Sequence, residues 1–243
     1  MSSCIVYPMP LLEFELDKSR MTNAFNLGQP TALIVYAWYI EGAGDRILVD
    51  AGPSVEYYSK VRRIPAREIQ SLESGLGELG MGLGDIDLVV ATHLHHDHIA
   101  QARKLPKAKV MVQRAELEFA RNPHPLFVPL YSAEFFEGLD FEVVAGDVEL
   151  CEGVSLLATP GHSPGGQAVS VRTAKGVAVI AGLCSIRENF EPPPPVKEEL
   201  SVIPPGIHTD VRIAYDSTLR IKEAADIVLP LHEPELRLAG SIG

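Results

Sequence analysis

The hexapeptide HLHHDH at residues 93–98 constrains this chain more than any other feature. Four histidines and one aspartate follow directly on the apolar run DLVVAT, so five metal-ligating groups stand where a strand is predicted to end. In an extended or turning backbone His93 and His95 face one side, Asp97 continues that side, and His98 enters from the loop. Imidazole nitrogen and carboxylate oxygen ligate divalent ions such as zinc, which take about four ligands. Five groups exceed the needs of one ion. The segment therefore allows two metals, whose joint use is to activate a water and hold both oxygens of a displacement. Two further histidines occupy comparable places, His162 just after the run VSLLATP and His232 at the end of DIVLPLH. Side chains at strand ends converge on one edge of a sheet, where loops complete a pocket.

The surrounding pattern supplies such sheets. Apolar, β-branched runs bounded by turn residues predict strands at 31–40, 46–52, 87–93, 109–113, 154–160, 167–172, 176–182 and 226–232. Helical patterns fall at 54–63, 66–76, 114–121 and 211–225, the last with Asp210 as its N-cap. Early strands join as hairpins and later ones alternate with helices, which implies mixed sheets covered by helices. The Pro-rich stretches RNPHPLFVP and EPPPPV read as loops, because proline lacks the N–H that a helix interior needs.

With 243 residues, 46% of them hydrophobic, the expectation is one domain spanning 1–243. No apolar run approaches the ~20 residues that cross a bilayer, and MSSCIVYPMP lacks the features of a leader. Membrane association is therefore not expected. A net charge of −11 argues against a nucleic-acid partner and leaves a small-molecule substrate. Three scattered cysteines, Cys4, Cys151 and Cys184, predict no disulfide framework and a cytoplasmic setting. The acidic surface and the extended segment LLEFELDKSRMT allow a homodimer without requiring one.

HxHxDH after an apolar strand, then TPGHSPG, then a last strand ending in histidine resembles the metallo-β-lactamase superfamily. The closer likeness is to its N-acyl-homoserine lactonase branch, carried also by VYAWYIEGAGDRILVDAG, VMVQRAELEFA and RENFEPP. The resemblance implies an α/β fold, a four-layer αββα sandwich with the site at the rim of two facing mixed sheets. It implies one metal on His93, His95 and His162, and a second on Asp97, His98 and His232, with His96 in a variable slot. One or two divalent ions are expected, Zn2+ first, with Mn2+ or Fe2+ as alternatives. Asp50 in LVDAG either orients a ligand or caps its strand end. The implied reaction is metal-dependent hydrolysis of a lactone such as an N-acyl-homoserine lactone, a metal-activated hydroxide attacking the carbonyl and Asp97 orienting it. Another ester or amide hydrolysis, or an iron-dependent oxidation, is the alternative.

That alternative arises because the pattern breaks. The family's bridging aspartate should follow GVAVIAG, but the text is AGLCSIRENF, which puts Gly182 or Leu183 in its place. Cys184 stands next, either as a thiolate ligand or as an inert buried cysteine. Ser185 falls where the lactonases carry a substrate-contacting tyrosine, which Tyr215 or His208 would have to replace. An acyl pocket is expected from Tyr131, Phe135, Phe136, Phe190 and the Pro-rich segments.

Overall fold

The computed structural model describes residues 3–243. Its strands are β1 (Ile5–Asp17), β2 (Pro30–Glu41), β3 (Ile47–Val49), β4 (Ala66–Glu68), β5 (Leu88–Val90), β6 (Lys109–Gln113), β7 (Phe141–Val144), β8 (Val148–Cys151), β9 (Val154–Ala158), β10 (Gln167–Thr173), β11 (Gly176–Ile180) and β12 (Ile227–Leu229). One sheet runs β4-β1-β2-β3-β5-β6-β7 and the other β12-β11-β10-β9-β8. Both are mixed. In the first, β3, β5, β6 and β7 are parallel while β4, β1, β2 and β3 alternate. In the second, only β11 and β12 are parallel.

The period of two along β2 explains how the layers stack. Ile34, Tyr36, Trp38 and Ile40 enter a cluster with Leu156 of β9, Val169 and Val171 of β10, and Ala178 and Ile180 of β11. Leu33 and Val35 face the other way, into a cluster with Leu12, Phe14 and Tyr58. Trp38 and Tyr36 are fully buried between the sheets with ring centroids 5.0 Å apart. Burying large apolar side chains contributes roughly 1.5–3 kcal/mol each, so this middle layer holds the sheets face to face. On the first sheet's outer face, Leu72 and Leu76 of the helix Leu72–Glu78 and Leu117 and Ala120 of the helix Arg114–Arg121 cover Leu48, Val89, Val110 and Val112. On the second, Ile221 of the helix Val211–Ala224 packs on Ala168, Val179 and Ala181. Helix, sheet, sheet and helix make the αββα sandwich.

Every predicted strand is present, but four others were not anticipated. The longest, β1, carries Pro8 and Pro10. At Pro8 and Pro10 β1 pairs only with β2, because its other edge is met by Ile242 at Val6 and by Ile69 and β4 from Leu11 to Phe14, and strand prolines are tolerated on such an open stretch of edge. The helix expected over 66–76 divides into β4 and the helix Leu72–Glu78, which Ser71 caps by accepting from Ser74 N at 3.0 Å. Residues 66–68 are drawn into the sheet by β1, a partner about fifty positions away that local periodicity does not register. The helix 114–121 matches its prediction, and Asp210 caps Val211–Ala224 by accepting from Arg212 N and Ile213 N.

Candidate metal centre

The site lies where strands from both sheets end. β5 leads through Thr92 to His93, Leu94, His95 and the short helix His96–Ile99. β3 leads to Asp50, β9 to His162, β11 to Cys184 and β12 to His232. The sheets are joined here by Gln167, whose backbone N–H donates to Thr92 O and whose side-chain amide donates to Ala91 O.

The six ligand positions expected from the sequence assemble as two groups of three. Ligand-capable atoms of His93, His95 and His162 lie within 4.8 Å of one another, as do those of Asp97, His98 and His232. Their hydrogen bonds fit a divalent ion. Nδ1 of His162 faces Ile207 O at 2.6 Å, Nδ1 of His232 faces Ile34 O at 3.1 Å, and Nδ1 of His98 faces Asp50 Oδ2 at 2.7 Å. Thr92 gives its hydroxyl proton to Asp50 Oδ2 at 2.9 Å, so at 3.0 Å it can only accept from His93 Nδ1. In His93, His162 and His232 this leaves a bare Nε2 turned inward, the arrangement that orients imidazoles toward a metal, while Nε2 of His98 faces Asp97 and carries a proton that an ion would displace. Nε2 of His93 and Nε2 of His162 are 3.2 Å apart. Asp97 Oδ2 lies 3.3 Å from His98 Nε2 and 3.9 Å from His232 Nε2. His95 Nε2 is buried without a partner.

The electrostatics agree. Burial, helped by neighbouring histidines, holds His93 and His95 well below the usual imidazole range and brings His162 and His232 to about 4. These rings are neutral and keep their lone pairs. Burial also opposes charge on His98, but Asp97 and Asp50 on either side outweigh it and lift His98 to about 10. Burial would push Asp97 up; His98, His96 and His232 instead hold it well below the carboxylate range. The second group thus already carries a positive charge beside an ionised carboxylate, at the place a cation would occupy.

Asp50 resolves in favour of orientation. It is fully buried at φ 57°, and one carboxylate fixes His98 directly and His93 through Thr92. His96 joins neither group; its ring packs on Tyr57 and Tyr58 at 4.9 and 5.2 Å.

The slot after β11 is filled by sulfur. A Cβ on Gly182 would run into the Gln167 carbonyl, and Leu183 faces the outer cluster with Phe190 and Ile221. Cys184 is the residue that reaches the cavity, but it belongs to neither ligand group. Its Sγ lies 3.6 Å from Met21 Sδ, and burial and then Asp97 push its thiol up, so it is protonated. Restoring an aspartate at position 182 should not repair the pattern. The variant G182D is expected to lose at least about 1–3 kcal/mol to overpacking, read as a lower urea midpoint with the same slope; a wild-type midpoint would refute the clash.

The cavity over the two groups holds about 100 Å³ and is walled by Phe14, Leu16, Met21, Tyr58, Ile64, Leu130 and Ile207. This corrects the expected acyl pocket. No residue of the Pro-rich stretches 121–129 or 191–196 lines it, though Leu130 just after the first does, while Tyr131, Phe135 and Phe136 belong to the core under the first sheet and Phe190 to the outer cluster. Ser185 donates to Leu183 O and His208 Nδ1 faces Pro205 O, and neither these nor Tyr215 line the cavity. The phenol at the site is Tyr58, buried beside Asp97. It comes from the π-helix Tyr57–Arg62, within the helix expected over 54–63, where nothing local distinguishes it from a packing residue.

A family model of the metallo-beta-lactamase superfamily matches residues 30–229. The chain belongs to that superfamily. An N-acyl homoserine lactonase of Bacillus cereus is 27% identical over 236 residues, which is 90% of this chain and 87% of the relative. The solved structure of a quorum-quenching N-acyl homoserine lactone lactonase superposes with a TM-score of 0.79 at 26% identity, covering 98% of this chain and 96% of that one. An N-acyl homoserine lactone hydrolase with N-hexanoyl-L-homoserine, its product, at the catalytic metal center gives 0.78 at 26% identity, with 98% and 96% covered.

Proposed function

We propose that this chain opens the ring of a lactone, an N-acyl-homoserine lactone first among them, at a two-ion zinc centre. At the coarser level the protein is a metal-dependent hydrolase. The observation that carries the reading is the pair of inward-facing ligand groups at the sheet rim, in a chain similar along nearly its whole length to lactonases. His93, His95 and His162 hold one ion and Asp97, His98 and His232 the other. When bound, such ions activate water near neutral pH and polarise the ester carbonyl. Asp97, kept ionised by its histidine neighbours, accepts a hydrogen bond from the attacking water and aims it. Tyr58 and the apolar wall exclude bulk water. The cavity is small, and Leu16, Ile64, Leu130 and Ile207 in its lining offer apolar surface to an acyl chain. No helix among the described residues is long and apolar enough to cross a membrane, and three unpaired cysteines suit a reducing cytoplasm.

Proton release from a panel of lactones, with metal-stripped protein and protein reloaded with zinc, manganese or iron, tests this. Metal-dependent release on acyl-homoserine lactones is expected. No release from any lactone by fully loaded protein would overturn the substrate class. Cys184, next after the position where the resemblance calls for an aspartate and the residue there that lines the cavity, favours one second reading, a different reaction on the same centre. Oxygen uptake by iron-loaded protein would select it.

A further inference from the structure

Glu116 is a carboxylate at full burial that none of the chemistry above uses. It stands in the first turn of the helix Arg114–Arg121, and no ion pair includes it among the described residues. Three donors from three separate segments meet on it. Leu94 N–H, between His93 and His95, donates to Oε1 at 2.9 Å. Gly165 N–H, in the loop that carries His162, donates to Oε2 at 3.1 Å. The Tyr131 hydroxyl donates to Oε1 at 3.0 Å, and the Tyr131 ring packs edge-on against His95 at 4.7 Å. The Gly165 loop presses so closely on Glu116 that a Cβ there would collide with the Glu116 backbone.

Burying a carboxylate is costly, and a glutamine would fill the same volume. Glutamine, however, has one acceptor oxygen and turns two N–H donors toward groups that are themselves donors. Only a carboxylate accepts all three bonds.

We propose that Glu116 is the positioning residue of the first ion: it ties the His93–His95 loop to the His162 loop and so sets the geometry and affinity of that group. The proposal rests on the reading that this group holds an ion. Zinc affinity, measured against a chromophoric chelator, and the visible spectrum of the cobalt-loaded protein test it, alongside thermal melting of the metal-free protein. E116Q is expected to bind the first ion about 10–100-fold more weakly and to shift the cobalt bands, which report ligand geometry. Wild-type affinity and spectrum in E116Q, even with a lowered melting point, would overturn the proposal and leave Glu116 a packing residue. If E116Q does not fold, Y131F decides. Loss of that one hydrogen bond should weaken zinc about 5-fold, and unchanged affinity would count against the proposal. A wild-type protein that binds neither zinc nor cobalt would remove the metal reading itself.

Discussion

Stripped of divalent metal by chelation, the protein is expected to lose lactone hydrolysis completely and to melt at a lower temperature, regaining both when zinc is returned. The loss of activity follows from the residues available. No serine lines the cavity, Cys184 is protonated against Met21, and His98, His162 and His232 hold Nδ1 against oxygen acceptors. The loss of stability follows from linkage. An ion present at a hundred times its dissociation constant adds about 2.7 kcal/mol to the folded state, which corresponds to about 5–10 °C for a chain of this size. Melting curves and proton release on the same samples, with metal content measured, check both arms. Full activity and an unchanged melting point at undetectable metal would sink the two-group reading.

Much of the centre was legible because its residue types are distinctive where they stand. Histidine is unusual just past an apolar strand, and His93, His162 and His232 each announced themselves that way. The helices Arg114–Arg121 and Val211–Ala224 were legible because periodicity and capping are local. β1 was not, since whether Pro8 and Pro10 break it depends on which strands flank it. The cavity wall was hidden for a similar reason. Phe14, Leu16, Met21 and Tyr58 are ordinary packing residues until the N-terminal strand and the π-helix Tyr57–Arg62 fold over the ligands. Aromatic residues nearer the ligands in sequence were the natural expectation, and the fold sends them into the core instead. Glu116 did leave a trace. On the helix Arg114–Arg121 it shares the buried face with Leu117 and Ala120, an acidic residue on an otherwise apolar stripe.

Asp50 is the residue outside the two groups whose loss should cost most. Its Oδ1 accepts from Thr92 N at 2.8 Å, and its Oδ2 accepts from Thr92 Oγ1 and His98 Nδ1. One carboxylate therefore sets a ring in each group, His98 directly and His93 through Thr92. D50A frees both rings and leaves His98, fully buried, without half of the negative charge that supports it. Removing one partner of such a buried pair costs about 3–5 kcal/mol, and losing an outer partner of a ligating histidine lowers metal affinity or activity about 10–100-fold. Because both groups are affected, activity should fall at the upper end of that range or beyond. D50N separates the contributions. Asparagine keeps the shape and tolerates the φ of 57°, but its single oxygen cannot accept from Thr92 N, Thr92 Oγ1 and His98 Nδ1 together. It should lose stability by less than D50A and still bind metal weakly, with the ion on Asp97, His98 and His232 lost first. Metal counts per chain, unfolding midpoints and hydrolysis rates distinguish these outcomes. If D50A and D50N both keep two ions and wild-type rates, Asp50 is a turn residue and the orientation of His93 and His98 comes from elsewhere.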